Sequence, residues 1–116
     1  MRFDPSDHLP LTPAMFQVLV ALADGEKHGY AIIKEVARRS DGKVQLRAGT
    51  LYAVIKRFVE DRFIVESAAR PDPALDDERR RYYRLTDRGR AVAMAEADRL
   101  TETLAQARAK LAPRKA

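Results

Sequence analysis

Residues 47–67, RAGTLYAVIKRFVEDRFIVES, carry two different apolar periods back to back. At the roughly 100° per residue of an α-helix, Leu51, Val54, Ile55, Phe58 and Val59 share one side. That i, i+3, i+4, i+7, i+8 repeat belongs to a surface helix docked on a core. The other side carries Gly49, Thr50, Ala53, Lys56 and Arg57, with Tyr52 on the border. The helix is predicted over roughly residues 48–61. It runs straight into a β-branched apolar stretch at 63–68 that reads as a strand. Small and basic residues at the start of the helix suit close approach to a polyanion. They also suit a merely solvated face, the commoner meaning of exposed Lys and Arg, so the rest of the chain has to decide.

Upstream, residues 1–11 show no period and read as an N-terminal arm. LTPAMFQVLVALADG then signals a helix, with Thr12 as cap, Pro13 at the first helical position and Gly25 as the stop. Met15, Phe16, Leu19, Val20, Leu22 and Ala23 leave it almost no polar face, which predicts a central, buried helix. A second helix is predicted at about 29–40, with Ile32, Ile33, Val36 and Ala37 inward and Lys34, Arg38 and Arg39 outward. KVQL, at 43–46, fits a brief strand. Downstream, RRYYRLT at 80–86 alternates Arg with Tyr83 and Leu85 and reads as the antiparallel mate of 63–68. The intervening ARPDPALDDER, with two prolines and four acids, reads as a long hairpin tip. Thr86 is the expected cap of a last helix over about 87–111.

Three short helices followed by a two-stranded hairpin is the element order of a winged helix-turn-helix. The predicted fold class is mainly α (α+β), a winged helix-turn-helix with a long C-terminal dimerisation helix. The expected division is an arm at 1–11, a DNA-binding domain at 12–86, and the dimerisation helix and tail at 87–116. In this architecture the third helix enters the major groove and the hairpin reaches the adjoining backbone. The bare face of residues 49–57 then has a reason: it lies against DNA.

Composition is consistent with that partner. Across 116 residues, 22 Lys+Arg face 17 Asp+Glu, a formal charge of +5, and basicity of this size favours an anionic partner without proving one. Cysteine is absent, which excludes disulfides, zinc fingers and thiol catalysis. No stretch approaches the roughly 20 apolar residues of a membrane span, and the N-terminus lacks the apolar run of a signal peptide. A cytoplasmic protein without membrane contact is the expectation. His8 and His28 are the only histidines and have no carboxylate or second His at ligand spacing. Ser40 and Ser67 have no partner His for a nucleophilic triad. No enzyme activity, metal or cofactor is expected.

The motifs HGYAIIKEV, AGTLYAVIKRF and RRRYYRLTDRGR, in that order, resemble those of the PadR-like transcriptional regulators, in the small subfamily with a single C-terminal helix. The resemblance spans about residues 12–90. It implies a homodimeric DNA-binding repressor. Carried over by position, it marks Tyr30, Thr50, Tyr52 and Lys56 as DNA contacts and the run Arg79, Arg80 and Arg81 as wing contacts. Lys34, Gly49, Ala53 and Arg57 complete the expected DNA-binding set. Two positions depart from the pattern. Ala53 stands where many relatives have proline, and Arg62 where many have glycine in the turn before the wing. If that turn is left-handed, arginine there costs about 1–2 kcal/mol.

Each assignment has a plainer competitor. The three arginines adjoin Asp72, Asp76, Asp77 and Glu78, so an internal salt-bridge cluster competes with a phosphate clamp. Tyr30 and Tyr52 also suit half-buried packing.

In the last helix Ala93, Ala97, Leu100, Leu104, Ala107 and Leu111 recur at spacings 4, 3, 4, 3, 4, an a/d seam flanked by Glu96, Asp98 and Arg99. Part of the seam is expected to pack on the chain's own first helix and the rest on a second copy, with the first helix and the arm adding to the dimer. The competing reading is a winged-helix adaptor that binds protein. It would need apolar anchors on the face of residues 49–57, where Thr50, Lys56 and Arg57 stand instead. The partners expected are double-stranded DNA, a second copy and a small-molecule inducer of unknown identity. Some relatives bind flat aromatic drugs between tryptophans at the dimer interface. This chain has no Trp, so that mode is closed to it in that form.

Overall fold

The computed structural model describes residues 2–67 and 81–114. A single 3-10 turn, Pro5–His8, precedes the helices α1 (Pro13–Ala21), α2 (Gly29–Arg39), α3 (Ala48–Glu60) and α4 (Asp87–Leu111). The strands are β1 (Lys27–His28), β2 (Ile64–Glu66) and β3 (Tyr82–Leu85), in the antiparallel order β1-β3-β2. Ile64 faces Leu85 and Glu66 faces Tyr83 across β2–β3, while Lys27 faces Tyr83 and His28 faces Tyr82 across β1–β3. The fold is the α+β winged helix that the element order predicts.

Two details of the sheet differ from expectation. The expected strand at 43–46 is a bend and irregular backbone. Ser40 explains this: its hydroxyl accepts the Val44 N–H at 2.9 Å, so the segment is held by a local side-chain bond. The extra strand is Lys27–His28, too short for any alternating pattern to announce it.

The caps carry much of the local order. Thr12 and Thr86 accept first-turn N–H groups from Met15 and Gly89, as predicted for both. The Thr86 hydroxyl also lies 2.6 Å from the Arg62 carbonyl, to which it donates, and so ties the start of α4 to the end of α3. That end is a Schellman turn. Phe63 N–H reaches the Phe58 carbonyl at 2.9 Å, Arg62 N–H reaches Val59 at 3.1 Å, and the Phe58 and Phe63 rings pack 5.7 Å apart. Arg62 occupies the left-handed position, φ 64°, so the strain anticipated there is present. Arg62→Gly is expected to stabilise the fold by about 0.5–1 kcal/mol, the steric relief less the entropy of glycine. A rise in thermal midpoint of a few degrees is the readout, and an unchanged or lower midpoint contradicts it.

The core gathers Val18 and Leu19 from α1 with Leu22 just after it, Ile32 and Val36 from α2, Leu51, Ile55 and Phe58 from α3, and Phe63, Ile64, Tyr83 and Val92. In α1, Phe16 and Val20 are only half-buried, so the helix is covered on one side rather than all round; Ala23, expected in it, is exposed in the turn that follows. Val59, expected inward, is 42% exposed. It stands at the edge of the stripe, where α3 overhangs a cleft instead of the core.

The N-terminal arm is packed against its own chain. Leu11 is buried, and Phe3 and His8 pack on Phe63 with ring centroids 6.3 and 5.0 Å away. Arg88 of α4 lies 4.2 Å over the Phe3 ring. Glu96, expected on the polar flank of the last helix, is instead buried, with 1% exposure. Its carboxylate accepts the Leu11 N–H at 2.7 Å and pairs with Arg99. The Arg99 hydrogen bond, aided by the Leu11 N–H, holds the Glu96 carboxyl below its ordinary value against the opposing effect of burial. A charge that is both paired and hydrogen-bonded tolerates burial. The stripe of α4 that faces the core is therefore Gly89, Val92 and Glu96, one residue behind the predicted seam.

Candidate nucleic-acid interface

α3 buries Leu51, Ile55 and Phe58, which turns Gly49, Thr50, Ala53, Lys56 and Arg57 outward, all of them exposed. Arg47, before the first turn, makes no side-chain cap, so the first N–H groups are left for an outside acceptor. A Cβ at Gly49 would meet nothing within 4 Å. The missing side chain keeps the outer surface low, and Ala53 does the same a turn later. Arg57 lies at one edge, its Nε 3.8 Å from the Asp61 carboxylate in an exposed pair of small energetic weight.

The start of α2 joins this surface. Tyr30 is 57% exposed, and the Lys34 ammonium sits 4.9 Å above its ring in a cation–π contact. His28 caps the helix, its Nδ1 accepting the Ala31 N–H at 3.0 Å. Its ring runs nearly parallel to Tyr30, at 13° and 6.4 Å, and meets Tyr82 of β3 edge-on at 5.3 Å. Between these rings, Gly29 makes room for α3: a Cβ there would lie 2.9 Å from the Tyr52 hydroxyl.

On the wing side, a cleft of about 610 Å³ separates α3 from the sheet, with Tyr52, Ile55, Lys56 and Val59 on one wall and Glu66, Arg81 and Tyr83 on the other. Arg81 pairs across the strands with Glu66 at 3.6 Å, so at this arginine an acid of β2 is the observed partner. Arg79, Arg80 and the acids expected at the hairpin tip lie outside the described residues. Tyr52, Lys56 and Arg81 thus share one cleft, while Tyr30 and Lys34 reach the wing strand separately, through the His28–Tyr82 contact. His28 is the residue that sequence reasoning passes over. Histidine ranks with no common cap, so its position before Gly-Tyr signals nothing by itself.

α4 extends past this body. Ala93, Ala97 and Leu100 are half-buried and Ala107 partly so, while Leu104 and Leu111 are 53% and 80% exposed. Among the described residues, no helix is long and apolar enough to cross a membrane.

Comparison with known proteins agrees with the fold. A transcriptional regulator from Clostridium thermocellum superposes with a TM-score of 0.70 at 22% identity, over 85% of this chain and 92% of that one; at that identity it speaks for the fold. BpsR of Bordetella bronchiseptica, whose DNA binding is regulated by 6-hydroxynicotinic acid, is 29% identical over 84% of this chain and 69% of its own, with a TM-score of 0.59. An uncharacterized protein from Lysinibacillus sphaericus is 32% identical over 74 residues, 64% of this chain and 65% of that protein, so the match spans just under two thirds of that relative. The family model of the PadR-like transcriptional regulators matches residues 18–95. The chain belongs to the PadR-like family of transcriptional regulators.

Proposed function

We propose that the chain is a homodimeric repressor that binds an inverted-repeat operator, with α3 in the major groove. The observation that supports this most is the outer face of α3, where Gly49, Thr50, Ala53 and Lys56 offer a low, cationic surface with no large apolar anchor. Tyr30, Lys34 and Tyr52 extend that surface on one flank, and Arg79, Arg80 and Arg81 are assigned to the wing. The dimer is assigned to α4. A helix of 25 residues spans about 37 Å, and its far half, with Leu104 and Leu111 exposed, needs a second surface. Half-buried Phe16 and Val20 on α1 add to that surface. A small effector, if one acts here, has a natural place in the cleft beside Lys56, whose volume falls in the range of ligand sites. Seated there it covers Tyr52 and Lys56 and competes with DNA.

Charge removal tests the reading. Lys56→Ala is expected to keep the fold, because the side chain is exposed, and to weaken operator binding. A phosphate contact lowers the log–log salt slope by about 1 and weakens all sequences alike. A guanine contact instead relaxes preference at one base position by about 1–3 kcal/mol. Arg57→Ala is expected to act in the same direction. Unchanged affinity and slope in both variants move the binding surface elsewhere and favour a protein-binding adaptor.

A further inference from the structure

We infer that His28 is a positioning residue for DNA recognition: its imidazole, braced on Tyr82 of the wing strand, holds the exposed Tyr30 ring in the orientation that meets DNA. The inference deepens the reading above and rests on it.

Three observations place His28 at a joint. Its backbone belongs to β1 and pairs with Tyr82. Its Nδ1 accepts the Ala31 N–H at 3.0 Å and so fixes the first turn of α2. Its ring lies within 13° of parallel to the Tyr30 ring and at 90° to Tyr82. The cap alone does not require an imidazole, since Asn or Asp makes the same bond to a first-turn N–H. What those shorter residues lack is a flat surface between Tyr30 and Tyr82. Tyr30 is 57% exposed, and an exposed phenol otherwise samples its rotamers freely. Lys34 covers part of the ring from the next turn of α2, 4.9 Å from its centroid, and His28 stacks beside it. Tyr30 is thus fixed by neighbours on α2 and β1, and through Tyr82 its orientation is tied to the wing.

The adjoining Gly29 makes a separable arrangement. An added Cβ would lie 2.9 Å from the Tyr52 hydroxyl and 3.3 Å from the carbon that bears it. The far end of that side chain is able to swing, so Gly29→Ala displaces Tyr52 while leaving the helix in place. Two neighbouring positions therefore set two different tyrosines, His28 for Tyr30 and Gly29 for Tyr52.

The test is a set of three double-mutant cycles on the full chain, read as affinity for a duplex selected by the unaltered protein from a random pool. His28→Asn keeps the cap and removes the ring. It is expected to weaken binding about three- to tenfold with little change in thermal midpoint, and to add nothing in a Tyr30→Ala background. Gly29→Ala is expected to be non-additive with Tyr52→Ala and additive with Tyr30→Ala. Binding by His28→Phe, which keeps a flat ring but loses the cap, should recover part of the loss on DNA while the midpoint falls. NMR of the DNA-free protein supplies an independent readout. His28→Asn should shift the Tyr30 ring protons and leave the Tyr52 ring protons unchanged. Additivity of His28→Asn with Tyr30→Ala, or Tyr30 resonances that do not move, overturns the inference. If Tyr30→Ala binds as tightly as the unaltered protein, DNA binding stands and the role of His28 falls. If the unaltered protein selects no duplex, it is the DNA-binding reading that has failed, and the inference fails with it.

Discussion

Gly89→Ala is expected to cost the fold about 3 kcal/mol or more, the upper end of what overpacking a close-packed site does. A Cβ at this position would fall 2.1 Å from the Phe63 carbonyl oxygen and 2.9 Å from Leu85 Cδ1. The Phe63 carbonyl cannot move aside cheaply. It accepts the Thr86 N–H at 3.0 Å and lies 3.0 Å from the Thr86 hydroxyl, and its residue closes the Schellman turn at the end of α3. Gly89 itself supplies the N–H that Thr86 caps. The glycine is thus required by close approach of α4 to the α3–β2 turn. Urea unfolding followed by circular dichroism measures the loss. Gly49→Ala is the contrast: nothing lies within 4 Å of the added methyl, and an exposed glycine-to-alanine change in a helix stabilises by up to about 1 kcal/mol. The same methyl stands on the face assigned to DNA, so stability and operator affinity should move in opposite directions.

The second large effect concerns association. Leu100→Glu with Leu104→Glu is expected to abolish the dimer and drop operator affinity toward the non-specific level. Leu104 is 53% exposed in the single chain and Leu100 half-buried, so neither belongs to the core around Phe58. Buried in a paired interface, the introduced charges are unpartnered and cost several kcal/mol. One half-site then supplies only part of the contacts. Sedimentation or light scattering should give the 13.1 kDa chain in place of twice that mass, with the helical circular dichroism largely kept. A variant that stays dimeric and binds normally shows that the seam packs elsewhere. A variant that unfolds assigns the far half of α4 to the core.

What was legible in the sequence follows the strength of its periods. α3 and α4 were legible because their apolar residues recur over more than two turns, and Thr86 marks the start of α4 as Thr12 and Pro13 mark that of α1. The outer face of α3 follows from the same period, which by itself turns Thr50, Ala53, Lys56 and Arg57 outward, as the structure has them. Glu96 was not legible: burial of a carboxylate depends on a backbone N–H contributed by Leu11, 85 residues away, which no local pattern records. The docking of the arm rests on the same bond and on Phe3, His8 and Phe63, and was missed for the same reason. β1 was missed because two residues carry no period, and His28 because its role lies in contacts made by its ring after folding. Arg62 was legible as a site of strain, and its φ of 64° matches.

Whether two copies of α3 read DNA together is decided by selection of bound duplexes from a random pool, followed by footprinting. The expected outcome is an inverted repeat with half-site centres about one helical turn, roughly 34 Å, apart, protected symmetrically by a dimer. Failure to enrich any sequence, or enrichment of a single unpaired half-site bound by one chain, rules out paired reading by α3.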